Sequence, residues 1–261
     1  MNILVPVKSV MDVDLNIRVR DGKVVEDGMN YIVSKWDENA IEAALAVKEK
    51  HGGEVTVVSI GPDRCAEALR KALAMGADKA IHVNDPAVEG SDSFGFARIL
   101  AAVAKKASYD LILTGKQSQD TDMGGTGPML AALLDWPVVA NVIVMDAAAP
   151  TKFTVERQGH AGREVLEVTL PAVLTANDSL NEPRLASLRG IMQAKKKPFD
   201  TLKLSDLGIA VADVGTAGAR VVVAEFLPPK GRAAGKKFEG EAEEVTRKVV
   251  DLLANEAKIF A

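Results

Sequence analysis

Short apolar runs alternate with helical patterns at a near-constant interval through the first half of this chain, and that alternation constrains its fold most. Asn2 to Val7 (NILVPV) has the length and composition of a central strand. Asp37 to Lys50 carries Ala40, Ala43, Ala44, Ala46 and Val47 at helical spacing before His51-Gly52-Gly53 stops it. Glu54 to Ile60 predicts a strand, and Gly61-Pro62-Asp63 then opens a helix over Arg64 to Met75 that Gly76 ends. Ala80 to Val83 predicts another strand. A helix follows over Ser93 to Lys106 with Ser91-Asp92 as its cap, then a strand over Tyr109 to Thr114. Strand, helix, strand, helix at this interval predicts βαβ units. The expected class is α/β, with a doubly wound, mostly parallel, Rossmann-like sheet of the adenine-nucleotide-binding type. Aromatic residues make up only 4% of the chain, so the core must be built from Val, Leu, Ile and Ala, which suits a sheet covered on both faces.

The strand ending at Thr114 runs into Gly115-Lys116-Gln117-Ser118-Gln119-Asp120-Thr121-Asp122-Met123-Gly124-Gly125-Thr126-Gly127-Pro128, and an apolar helical run, Met129 to Leu134, follows. A glycine-rich turn between strand and helix offers unpaired backbone N–H groups at the positive end of a helix dipole, which is an anion site. Gln117, Ser118, Thr126 and two aspartates surround it with donors and acceptors. The turn has neither the Lys-Ser/Thr ending of a P-loop nor the spacing GxGxxG, which disfavours a nucleoside triphosphatase and a nicotinamide dehydrogenase. Val7-Lys8-Ser9 and Ile60-Gly61-Pro62 are two further turns after strands. In a doubly wound sheet all three share the carboxyl edge, and together they suit one mononucleotide.

Beyond Pro137 the pattern changes. Val138 to Met145, Phe153 to Arg157, Glu164 to Thr169 and Ala172 to Ala176 predict strands with short turns, and Ile17 to Val25 predicts a hairpin around Asp21-Gly22. Residues 181 to 240 are rich in Pro, Gly, Lys and Arg and show no long periodic element. That stretch is too long for an ordinary loop and reads as an extended arm. Glu241 to Lys258 predicts an amphipathic helix with Val245, Val249, Leu252 and Leu253 on one stripe. The expected division is an α/β nucleotide-binding domain over 1–190 and, over 191–261, an arm and C-terminal helix packed on a partner subunit.

Composition excludes several classes. The formal net charge of −4 does not provide a general nucleic-acid surface. A single cysteine, Cys65, rules out an internal disulfide framework and a CxxC metal site. No apolar run approaches the roughly 18 residues of a membrane span, and no leader pattern precedes the first strand, so a soluble protein of a reducing, cytoplasmic compartment is expected. His51, His82 and His160 lie in unrelated segments, so neither a catalytic triad nor a metal cluster is expected. Lys195-Lys196-Lys197 follows Ile191-Met192-Gln193-Ala194, a basic cluster beside apolar residues that forms a candidate docking site in an acidic chain.

Several segments, taken in order, closely resemble the electron transfer flavoprotein β subunit. They are Asn2-Ile3-Leu4-Val5-Pro6-Val7-Lys8, Ala72-Leu73-Ala74-Met75-Gly76-Ala77-Asp78, Gly115-Lys116-Gln117, Val155-Glu156-Arg157, Leu170-Pro171-Ala172-Val173-Leu174-Thr175, Leu180-Asn181-Glu182-Pro183-Arg184 and Ile191 to Lys197. The resemblance implies a heterodimer with a larger α subunit that holds most of a redox-active FAD, and AMP bound in the β chain. On this chain the matching nucleotide positions are Pro6, Ser34, Lys35, Trp36, Asp37, Ile60 and the run Gly115 to Thr126. Within that run Lys116, Gln117, Ser118, Asp120, Asp122 and Met123 precede Gly124, Gly125 and Thr126, where the family holds the phosphate. Trp36 falls where an aromatic side chain approaches the flavin. Leu188 resembles the apolar anchor of the loop that docks on partner dehydrogenases, with Ile191, Met192, Lys195, Lys196 and Lys197 beside it. The resemblance thus implies an electron carrier without a side-chain catalyst. Its donor would be an acyl-CoA or other flavin dehydrogenase and its acceptor a membrane quinone oxidoreductase, with no membrane insertion of its own.

Two departures keep an alternative open. Bifurcating members hold a second FAD where others hold AMP, oxidise NADH and typically carry Asp-Gly-Asp-Thr-Ala-Gln-Val-Gly-Pro. Here Thr126 resembles the AMP-binding members, while Gly127-Pro128 and the tail Glu256-Ala257-Lys258-Ile259 resemble the bifurcating ones. Gln158-Gly159-His160-Ala161-Gly162 also lacks the family's usual acidic residue and Gly-Gly pair, which puts its flavin contacts in question. A free-standing nucleotide-binding regulator would share the three turns but not the arm.

Overall fold

A computed structural model of the chain describes residues 1–12, 17–228, 231 and 234–259. In chain order the elements of the first half are β1 (Asn2–Pro6), β2 (Ser9–Met11), β3 (Val19–Arg20), β4 (Lys23–Val24), β5 (Tyr31–Val33), α1 (Lys35–His51), β6 (Glu54–Ile60), α2 (Cys65–Met75), β7 (Lys79–Val83), α3 (Ser93–Ala104), β8 (Leu111–Gly115) and α4 (Thr126–Leu134). They are followed by β9 (Val138–Ala149), β10 (Lys152–Gln158), β11 (Arg163–Thr169), β12 (Ala172–Ala176), α5 (Leu188–Ala194), β13 (Phe199–Leu202), α6 (Gly215–Gly218) and α7 (Ala242–Asn255).

One nine-stranded sheet runs β11-β10-β9-β12-β8-β1-β6-β7-β13. From β9 to β13 every neighbouring pair is parallel, while β10 and β11 extend the sheet as antiparallel strands. This is the expected α/β class. Alternate residues face opposite layers, as the two-residue period of a strand requires. Ile3, Val5, Leu111 and Leu113 pack under α1 and α2, whereas Leu4, Ile112 and Val173 pack under α3 and α4. The chain moves one way across the sheet from β1 to β6 and β7, then returns to place β8 on the other side of β1. The strand order therefore reverses between β1 and β8, and ligands of open α/β sheets collect at such a switch point.

The hairpin β3–β4 turns on Asp21 and Gly22, both at positive φ, as a tight hairpin turn demands. Several elements escape a reading of the sequence. β2 and β5 pair into a separate two-stranded sheet, α5 is a seven-residue helix, and β13 adds to the sheet edge beside β7. The segment 181–240 is thus partly structured.

The described residues form two compact units, Met1–Phe226 and Leu227–Ala261. The arm read over 191–261 includes residues 229, 230, 232, 233, 260 and 261, which lie outside the described residues. In the second unit α7 carries Val245, Val249, Leu252 and Leu253 on one stripe, and among the described residues none of α7 is buried.

Candidate functional site

The turns after β1 and β8 meet at the switch point, and the first turn of α1 lies between them. Ser34 N donates to Lys8 O at 3.0 Å, which seats the start of α1 on the β1 turn. Asp37, in the first turn of α1, accepts Lys8 N at 2.7 Å on one carboxylate oxygen and Gly115 N at 3.1 Å on the other. Gly115 has no alternative here, because a Cβ would lie 2.8 Å from Trp36 Cβ and 2.9 Å from the Trp36 carbonyl carbon. The glycine that ends β8 is what lets the helix approach the strand.

The long turn from Lys116 to Gly125 is knitted into a frame. Lys116 N donates to Ala176 O, and Asp122 N to Ser118 O. Gln117 Nε2 donates to Asp122 Oδ1 at 2.8 Å, and Ser118 Oγ bonds Thr121 Oγ1 at 2.9 Å. Lys8 Nζ reaches across from the β1 turn to Asp120 Oδ1 at 2.8 Å and Ser118 Oγ at 3.2 Å. Gln119 Oε1 accepts Lys35 N at 2.9 Å and so satisfies one of the free N–H groups that begin α1. Lys8 is absent from the residues picked on sequence, and Gln119 is covered there only as part of the run Gly115 to Thr126. Both sit inside segments marked as turns, but their partners are 84 to 112 positions away, and spacing carries no signal at that range.

Two helix starts face this edge, and their chemistry differs. The N-terminus of α1 is occupied by Gln119, Asp37 and Glu38. The N-terminus of α4 begins at Thr126 after Gly125, has no side-chain cap and no acidic residue in its first turn. An anion is therefore directed to α4, at the Gly124-Gly125-Thr126 corner, and repelled from α1. Gly124 takes φ 61°, a left-handed conformation that suits the bend into the helix.

Ser34 is fully buried, and its Oγ has no hydrogen-bond partner among the described residues. A buried hydroxyl without a partner costs about 1–3 kcal/mol. Beside it Lys35, Trp36, Gln119, Asp122 and Asp178 line an open cavity of about 370 Å³. An uncapped helix start and a cavity with an aromatic wall fit a nucleotide. Asp37 is different in kind. It is 7% exposed, and burial pushes its carboxyl up to about 7 against the opposing pull of the Lys8 and Gly115 N–H groups.

All the residues expected to bind the nucleotide thus lie along one edge. Pro6 ends β1, Ile60 ends β6 on the far side of β1 from β8, Ser34 to Asp37 open α1, and Gly115 to Thr126 join β8 to α4. Met123 stands 55% exposed at the tip of the turn.

The expected docking residues form a separate group on α5, which lies on α2. Gly190 fits there because a Cβ would strike the main-chain oxygen of Ala74. Leu188 and Met192 project, 84% and 72% exposed, with Ile191, Lys195 and Lys196 also exposed. Lys197 behaves differently from its neighbours. Its Nζ donates to Leu73 O in the last turn of α2 at 2.9 Å and to Ala77 O just beyond it at 2.6 Å, and burial pulls its amine down from the usual lysine range. At the other end of the segment Arg184 clasps α1. It bonds both carboxylate oxygens of Glu42 and both of Glu49. Asn181 and Asn39 exchange hydrogen bonds beside it.

The fold defines a mostly parallel α/β protein whose switch-point edge presents an uncapped helix start to an anion. The electron transfer flavoprotein domain profile matches residues 21–207. Among curated proteins, the electron transfer flavoprotein subunit beta of Bacillus subtilis is 38% identical over 261 residues, covering all of both chains. That of Methylophilus methylotrophus is 40% identical over 99% of both, and that of Homo sapiens 41% identical over 92% of this chain and 93% of its own. This chain belongs to the electron transfer flavoprotein β-subunit family.

Proposed function

We propose that this chain is the β subunit of a heterodimeric electron transfer flavoprotein. It pairs with an α subunit that holds most of an FAD, receives electrons from an acyl-CoA or other flavin dehydrogenase, and passes them to a downstream acceptor such as a membrane quinone oxidoreductase. FAD supplies the redox chemistry when bound. This chain contributes a docking surface, an aromatic wall at Trp36 and a second nucleotide, AMP, held for structure at the switch point. The observation that carries the reading is the uncapped start of α4, in a family of flavoprotein subunits. The phosphate of AMP would meet the N–H groups at Gly124, Gly125 and Thr126, with Pro6, Ser34 to Asp37, Ile60 and the run from Gly115 around the nucleoside. The C-terminal arm and α7, whose apolar stripe is not buried, would lie against the α subunit. Among the described residues no helix is long and apolar enough to cross a membrane. A cytoplasmic site of action agrees with a single free thiol, Cys65.

Anaerobic reduction of the co-purified complex tests this. Acyl-CoA with its dehydrogenase should bleach the flavin rapidly, and NADH alone should not. Rapid reduction by NADH alone would overturn the reading in favour of a chain that carries a second FAD. In the same assay Leu188→Asp should raise the KM for the complex about tenfold or more, as expected for loss of a central apolar anchor, and leave kcat nearly unchanged. An unchanged KM would remove α5 as the docking surface.

A further inference from the structure

Among the described residues Asp37 is the one buried carboxylate at the switch point, and its two oxygens are turned to the strand ends. Both its oxygens are already engaged, one by Lys8 N and one by Gly115 N. Lys8 Nζ bonds Asp120 and Ser118 and acts on Asp37 through its charge alone. The two N–H groups lie at the carboxyl ends of β1 and β8, Lys8 in the turn after β1 and Gly115 as the last residue of β8, the two strands on either side of the reversal in strand order. One carboxylate thus ties the two walls of the cleft to the helix between them.

We propose that Asp37 is a positioning residue for the nucleotide cleft, its carboxylate fixing the spacing of the β1 and β8 turns by accepting the main-chain N–H groups of Lys8 and Gly115. This rests on the reading of that cleft as a nucleotide site. The ionised carboxylate is a strong acceptor at both oxygens, whereas protonation turns one of them into a hydroxyl that accepts its N–H only weakly. Protonation therefore loosens one wall of the cleft. The charged groups that face Asp37 are Lys8 from the β1 turn and Asp120 from the β8 turn. Glu38 of its own helix turns away to Lys71 on α2, and Asp178 after β12 lies across the cavity beside Lys35 and Trp36.

The proposal gives a signature that a purely structural carboxylate lacks. Burial raises the folded-state value from 3.8 to about 7, so the contribution of Asp37 to stability is fully present below about 3.8 and is lost as pH rises through about 7. Nucleotide affinity should move the other way, because the ionised form holds both walls. Acidification from about pH 8 to about pH 6 should then stabilise the fold through this group while weakening the ligand.

The test is the affinity of the α/β complex, stripped of nucleotide, for AMP across that pH range, in the wild type and in Asp37→Asn. An asparagine can accept only one of the two N–H groups, so it mimics the protonated state at every pH. The ratio of the two dissociation constants cancels the titration of the AMP phosphate and of other groups. It should be about tenfold at about pH 8, the worth of one lost charged hydrogen bond, and should approach one near pH 6. A ratio that is near one throughout, or large but independent of pH, overturns the proposal. A wild-type complex that binds no AMP at any pH overturns the nucleotide reading and the role of Asp37 with it. Should Asp37→Asn not assemble, adenosine replaces AMP in the wild type and in His82→Gln, whose imidazole bonds Gly61 O on the neighbouring turn. Adenosine affinity that falls on acidification in both supports the proposal, and affinity independent of pH overturns it.

Discussion

Replacing Gly115 by alanine should abolish nucleotide retention and destabilise the assembled protein by about 3 kcal/mol, the upper part of the range for overpacking a tight core position. The added methyl would meet the Asp37 carboxylate and two atoms of Trp36, one of them main chain. A flexible side chain can swing aside, but here relief requires the start of α1 to withdraw from β8. That movement breaks the Gly115 N–H bond to Asp37 and shifts Ser34, Lys35 and Trp36 together. Gly124→Ala is the control in the same turn. Its Cβ would meet only Lys116 O at 3.5 Å, and the residue sits at φ 61°, so the cost is confined to a left-handed alanine, about 1 kcal/mol. The denaturation midpoint and nucleotide content of the two purified complexes make the comparison. Equal losses in both variants would contradict the close approach of α1 to β8.

The second large effect is expected at Arg184, far from the nucleotide. Its guanidinium bonds Glu42 through Nε at 2.8 Å and Nη2 at 2.9 Å, and Glu49 through Nη1 at 2.5 Å. Glu42 is 14% exposed and Glu49 59%, so solvent weakens the second pair and most of the energy lies in the first. Burial raises the Glu42 carboxyl, but the Arg184 bonds outweigh it and hold it below the usual range. The same bonds hold Glu49 down. Arg184→Ala should cost about 2–3 kcal/mol, the worth of a two-pronged charged hydrogen bond at a mostly buried carboxylate. Both carboxylates have lowered values, so this stabilisation is present above about 4.5 and is lost as pH falls through their folded values. The difference between wild type and variant should therefore be full at neutral pH and close in acid. A constant difference down to low pH would mean that Arg184 acts through packing of its stem. Arg184→Lys should recover only part, because an ammonium cannot match the fork.

How far these features were legible varies with the distance over which each is determined. The strands and helices of the parallel core follow from local periodicity, and the structure has them within a few residues of where the pattern puts them. The glycine turn is legible for the same reason, since its residues lie between one strand and one helix. α5 is not, because it is seven residues long, contains Gly190 and is mostly exposed, so neither propensity nor periodicity marks it. Gly190 is accommodated by contact with Ala74 on another helix. β13 reads as a polar stretch because it is an edge strand with two exposed positions. Lys197 belongs by composition to a basic cluster, and only tertiary structure turns it back onto the end of α2. Asp37 looks on sequence like an ordinary acidic residue in a helix first turn, and its burial between two strand ends becomes visible only when the sheet order is known.

The nucleotide content of the native complex tests the central claim most directly. The chain is purified with its α subunit, the bound nucleotides are released by denaturation, and each is quantified by chromatography against protein. One FAD and one AMP per heterodimer are expected if the Gly124-Gly125-Thr126 corner is a monophosphate site in an electron carrier. Two FAD and no AMP would contradict that account.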